Sequence, residues 1–187
     1  MRRLRLVLFA VCLPLPALAA GGPAPADRQA AIDTLLDALK AAPSEQVAAP
    51  LEARFAQMMV MQGSPAVTLL LSRGVREIRA GTPQDALDDL DAAITLQPDF
   101  AEAYRQRAIA RFQSGDTPGA VADIRKTLEL QPRNFEAFRT LAQISEARED
   151  WKGAYEAWQK LLELDPKTPG GEQRLNDLRR RALGDET

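Results

Sequence analysis

The stretch ITLQPDFAEAY, Ile94 to Tyr104, returns 34 residues later as LELQPRNFEAF, Leu128 to Phe138. Its proline stands at Pro98 and then Pro132, and a further step of the same length lands on Pro166 in LELDPKT. Self-similarity at a fixed period of this size marks an array of small units, each hiding its apolar face against the next. Placing the three prolines at one repeat position divides the middle of the chain into 67–100, 101–134 and 135–168.

The other residues fall into the same register. Gly74, Ala108 and Ala142 share one position, and Ala86, Ala120 and Ala154 another. Small side chains at matching places let two helices approach closely, while Leu70, Tyr104 and Phe138, then Leu90, Ile124 and Trp158, fill the space between them. The turns read AGTPQDA, SGDTPGA and REDWKGA. In the first two, Thr82 and Thr117 are expected to cap a second helix, with Pro83 and Pro118 at its first position, where no N–H is needed. Pro98, Pro132 and Pro166 close each second helix.

A 34-residue helical pair with these small residues, a Gly-Asp type of turn and a closing proline resembles the tetratricopeptide repeat, TPR. The resemblance covers 67–168 and implies an all-α fold: antiparallel helix pairs stacked into a right-handed superhelix, with the first helices lining a concave groove that holds a protein or peptide. The chain is similar to small exported TPR proteins of Gram-negative bacteria. It departs from the usual pattern at the seventh position of each unit, commonly Leu, where Arg73 and Arg107 stand. Sixteen residues further on lie Asp89 and Asp123, and both partners change together in the third unit, to Leu141 and Ala157. Because a buried charge without a partner is costly, Arg73 with Asp89 and Arg107 with Asp123 are expected to form salt bridges inside their units.

Outside the repeats, MRRLRLVLFAVCLPLPALAA has three arginines, an apolar run from Leu6 to Leu18 and a small-x-small pair at Ala17 and Ala19, the order of a secretory signal peptide cut after Ala19. The expectations are a signal peptide over 1–19, export to the periplasm, no membrane span after cleavage, and a flexible start over 20–26. Residues 27–65 read as an N-terminal helical pair, with Ile32, Leu35, Leu36 and Leu39 on one stripe and Leu51, Phe55, Met58 and Met59 on the other. Pro43 separates the two, and Pro50 marks a kink or a late start. Because these prolines fall where a TPR helix would continue, the pair does not read as a fourth repeat. Residues 169–184 read as a capping helix with Leu175, Leu178 and Ala182 inward and Arg174, Arg179, Arg180 and Arg181 outward.

Composition narrows the chemistry. The chain has no histidine and one cysteine, Cys12, inside the apolar run. The mature protein would then lack disulfides, thiolate sites and the commonest general base. Removing 1–19, with their three arginines, takes the net charge from −2 to −5. That balance argues against a nucleic-acid partner, which needs a basic surface. No nucleophile elbow, phosphate loop or metal-ligand spacing is present, so no enzyme, cofactor or metal is expected. The methionines of MMVM, Met58 to Met61, belong to the apolar stripe rather than to a copper site.

What remains is binding. The groove stripes are Thr68, Leu71, Val75 and Ile78; Glu102, Arg105, Ile109 and Phe112; then Glu136, Arg139, Gln143 and Glu146, passing from apolar to polar along the array. The expected partner contacts are Arg79, Arg105, Gln106, Ile109, Phe112, Gln113, Arg139 and Gln143, with Arg105 and Arg139 meeting acidic groups. The stripes lack the Lys, Asn and Arg set with which some TPR proteins clamp chaperone tails. Two questions stay open at this point: whether the helix over 51–62 covers Leu71, Val75 and Ile78, and whether the N-terminal helices instead assemble the protein with a copy of itself or an envelope complex.

Overall fold

The computed structural model describes residues 25–184. The expected signal peptide, Cys12 and the last three residues lie outside that range. The described chain forms α1 (Pro25–Lys40), α2 (Glu45–Val60), α3 (Pro65–Ala80), α4 (Pro83–Leu96), α5 (Ala101–Gln113), α6 (Thr117–Leu130), α7 (Phe135–Ala147), α8 (Trp151–Leu164) and α9 (Gly171–Leu183). Among the described residues there is no strand, and no helix is long and apolar enough to cross a membrane.

The three repeats are the antiparallel pairs α3–α4, α5–α6 and α7–α8, and α9 closes the far end against α8. Boundaries differ from the sequence reading where proline allows a helix to begin early. Pro25 and Ala26, expected in a flexible segment, lie in α1, and Pro65, expected in the N-terminal pair, opens α3 with Ser64 as its cap. Pro50 lies inside α2, which starts at Glu45 and runs through it.

Turn chemistry repeats with the same 34-residue period. Gly81, Gly115 and Glu149 occupy one repeat position, and all three adopt a left-handed conformation, with φ of 80°, 88° and 57°. The backbone must reverse there, and glycine does so without a Cβ clash. The next position caps the second helix: Asp116 and Asp150 each accept the N–H three residues on, from Gly119 and Gly153, at 3.0 Å. The expected threonine caps are not used. Thr117 is already helical, and the Thr82 hydroxyl donates to the Glu77 carbonyl instead.

The core follows the small residues. Ala86, Ala93, Ala103, Ala108, Ala120, Ala137, Ala142 and Ala154 are fully buried and let Leu90, Ile124 and Leu161 fill the seams. At Gly74 an added Cβ would stand 2.9 Å from the Leu90 side chain, so this pair needs the one residue smaller than the alanine of the other units.

Ionic contacts pin the same seams with unequal strength. Arg107 donates from Nε and Nη2 to both oxygens of Asp123, at 2.9 and 2.7 Å, and from Nη1 to Asp91 of the preceding unit at 2.6 Å. Arg111 adds a second cation 3.1 Å from Asp123. The Arg107 pKa is raised above its ordinary value, first by hydrogen bonding to Asp123, against the opposing effect of burial. Arg73 approaches Asp89 to 2.9 Å without hydrogen-bond alignment, and half of its side chain stays in water.

Two outcomes follow for stability. Arg107→Ala should cost roughly 2–3 kcal/mol, the Arg107→Ala/Asp123→Ala pair less than the sum of its singles, and Arg73→Ala under about 1 kcal/mol, all by urea unfolding. Glu149→Gly should stabilise the protein by about 1 kcal/mol by the same measurement, since it relieves the one non-glycine residue in this left-handed position.

Candidate peptide-binding groove

The first helices of the pairs lie side by side, α3 against α5 and α5 against α7, so their free faces form one inner wall. The N-terminal hairpin α1–α2 does not stack on α3 as another repeat would. It folds back across the edge where each second helix ends and the next first helix begins, α1 against α8 and α2 against α5. Ile32, Leu36, Leu39, Phe55 and Met59 bury themselves there with Ala101 and Phe135, and Leu130 and Leu164 pack around them. The Phe55 and Phe135 rings meet at 4.8 Å between centroids. Polar contacts fix the register: Arg133 reaches Asp33 and Asp37, Gln131 donates to Gln29, and Gln97 donates to the Gln62 carbonyl.

The hairpin thus closes one edge of the inner wall and meets the first unit at Val60, at the end of α2, and just beyond it at Gln62, whose carbonyl Gln97 reaches. Val60 packs in the cluster that buries Leu71, and Val75 and Ile78 pack against the same cluster, half-buried.

The expected contact residues divide into two groups. Arg105 donates from Nε and Nη2 to both oxygens of Glu102, at 2.9 and 2.6 Å, and Gln106 donates to the same carboxylate at 2.7 Å. Burial alone would weaken the Arg105 cation, but the charge and hydrogen bond of Glu102, with the charge of Glu136, raise its pKa on balance. Arg139 donates to Glu136 at 2.7 Å and has Glu52 and Asp165 each 3.9 Å away. Both arginines, expected to receive acidic groups of a partner, therefore already hold carboxylates of their own chain. Phe112 is half-buried against the core of the second and third units.

The second group faces solvent. Arg79, Gln113 and Gln143 are exposed, and Ile109 lies half-buried beside them on the inner stripe. Gln143 lines a hollow of about 390 Å³ at the end of the wall, with Glu146, Trp151, Arg174, Leu178 and Arg181. Arg181 lies over the Trp151 ring at 4.6 Å, and Arg174 pairs with Glu146. No group of three or more His, Cys, Asp or Glu among the described residues is placed to hold a metal.

The self-pairing of Arg105 and Arg139 has a local signal, since Glu102 and Glu136 each stand three residues earlier on the same helix. Glu52 has none, because only the return of α2 brings it to Arg139. Its pKa is raised, first by burial, then by the Asp165 charge, with Arg139 opposing and Glu136 adding. The folded protein thus holds a proton at Glu52 more tightly than the unfolded chain does. This group's contribution to stability is full below the ordinary carboxylate range and is lost as pH rises through the raised value. Glu52→Gln should accordingly raise the melting temperature by about 2 °C at neutral pH and leave it unchanged below about pH 4, as read by circular dichroism.

Comparisons with known proteins agree with this architecture. A family model described as tetratricopeptide repeat matches residues 71–132 and 105–169. No curated protein matches the chain. Among solved structures, the first TPR domain of Spaghetti (RPAP3), bound to the HSP90 peptide SRMEEVD, superposes with a TM-score of 0.60 at 20% identity, covering 66% of this chain and 99% of its own. A crystal structure of MamA gives 0.58 at 20% identity, covering 86% of each chain. The TPR2AB domain of yeast Sti1, in complex with pHSP90, gives 0.55 at 18% identity, covering 84% of this chain and 64% of its own. With the repeat model spanning more than half of its length and its three helix pairs stacked in register, the chain belongs to the tetratricopeptide repeat family.

Proposed function

We propose that this protein is an exported, non-catalytic scaffold that holds a peptide segment of another protein against the inner wall formed by α3, α5 and α7. The observation that carries the reading is the division of that wall. One edge is closed by α1–α2, while on the open part Arg79, Gln113 and Gln143 are exposed beside the half-buried Val75, Ile78 and Ile109. Half-buried apolar side chains flanked by exposed amides suit a partner that brings one or two aliphatic anchors and backbone groups for the glutamines to pair.

The neighbours bound to HSP90 peptides support a peptide-holding role for the wall but not the same ligand. Leu71, Val75, Glu102, Gln106 and Glu136 stand on the stripes where a carboxylate clamp would need cations, and Arg105 and Arg139 are internally neutralised. A partner relying on acidic groups would compete with Glu102 and Glu136 for them. The N-terminal pattern of arginines, apolar run and Ala17-x-Ala19 supports export to the periplasm with cleavage after Ala19.

A photoreactive residue placed at Gln113 or Gln143 should crosslink one discrete envelope protein in cells, Ile109→Arg should abolish that product, and the same probe at Lys152, on α8, should give none. Equal labelling from all three sites would reject the groove as the binding surface. N-terminal sequencing of protein from the periplasmic fraction should begin at Ala20, and an intact Met1 would reject export with cleavage.

A further inference from the structure

The three repeats act as an internal ruler, because the same position can be compared in three neighbours. Where α5 and α7 carry Ala103 and Ala137, both fully buried by the preceding unit, α3 carries Leu69 at 62% exposure. Where they carry Ala110 and Ile144, also buried, α3 carries Arg76, exposed and without an ion pair. At the position of Arg107, whose side chain is 14% exposed and gripped by Asp91 of the unit before, Arg73 is 51% exposed with only Asp89 of its own unit beside it.

The second helices give a parallel comparison. Leu130 and Leu164 pack under the α1–α2 hairpin, while their equivalent Leu96 is 62% exposed. The hairpin that shelters the later units therefore leaves the outer face of the first unit bare.

That face is charged in two columns of opposite sign. Leu69, Arg73 and Arg76 form one stripe on α3, and Leu96, Ala92, Asp88 and Asp85 form another on α4. All of them except Arg73 face solvent without an ion pair. Because α3 and α4 run antiparallel, the two leucines lie at the same end of the face and the charges at the other. At 1.5 Å per residue, Arg76 is about 10 Å along α3 from Leu69, and Asp88 about 12 Å along α4 from Leu96.

We propose that this face docks on the same face of a second copy of the chain, as an isologous dimer with its two-fold axis in the interface and along the helices. The rotation lays α3 antiparallel on α4 of the second copy. Leu69 then meets Leu96 of the second copy, and Arg76 meets its Asp88 and Asp85, each contact being made twice. Charge complementarity selects a second copy over an unrelated acidic helix, which would gain at α3 but meet repulsion from Asp85 and Asp88 on α4. The dimer joins the arrays at their first units and leaves both inner walls and both α9 caps outside the interface.

Sedimentation velocity of the purified protein over a concentration series tests this. The expected result is a monomer–dimer equilibrium that weakens with added salt. Arg76→Glu and Asp88→Arg, both at exposed positions, should each weaken self-association by at least about tenfold while leaving the circular dichroism melt unchanged. An equimolar mixture of the two variants should dimerise again, because each contact then pairs opposite charges. A protein that stays monomeric throughout, an association unaffected by either variant, or a mixture no tighter than its components would each overturn the proposal.

Discussion

No helical pair in this chain can hide its own apolar surface, and every other feature of the molecule answers to that constraint. The alanines at repeated positions bring helices close enough for Leu90, Ile124 and Leu161 to seal the seams, and each seam needs a neighbour on both sides. The two ends of the array solve the missing neighbour differently. α9 lays Leu178 on the last pair and turns its arginines to water, whereas the first pair makes its own outer face largely polar with Arg73 and Arg76.

The N-terminal hairpin obeys the same rule by another route. Its apolar stripe of Ile32, Leu36, Leu39, Phe55 and Met59 finds cover along the edge where Ala101, Phe135, Leu130 and Leu164 are presented together. This choice of edge shapes the functional surface. It removes Phe135 and the entrance of the third unit from solvent, and it brings Glu52 to the one inner-wall arginine already flanked by Glu136 and Asp165. A wall on which Arg105 and Arg139 are neutralised and the aliphatic residues are half-buried favours apolar anchors over acidic ones.

Charge is spent on architecture more than on recognition. Asp123 holds two arginines and Arg107 two aspartates, forming a network that crosses from one unit to the next. The third unit dispenses with it, carrying Leu141 and Ala157 where the others carry arginine and aspartate, and a hollow of about 580 Å³ opens there between Val121, Phe138 and Lys160.

The repeat period, the helix pairs, the small residues at the seams and the pairing of Arg107 with Asp123 were all legible in the amino-acid sequence. They are properties of one unit, and a unit copied three times states its own rules. The capping helix was legible as well, because an amphipathic segment after a repeat has one face to cover. Local order also hid details in plain view: Asp116 caps in place of Thr117, Asp150 caps the turn that has no threonine, and Glu102 and Glu136 stood one turn before the arginines they neutralise. What only the tertiary structure decided was where the non-repeating hairpin lands. Its stripe is apolar without being addressed to any one surface, so nothing local distinguishes stacking on α3 from crossing the edge at Ala101 and Phe135. Burial against Ala101, Phe135, Leu130 and Leu164 settled it, and with it which part of the inner wall stays open and which face of the first unit stays bare.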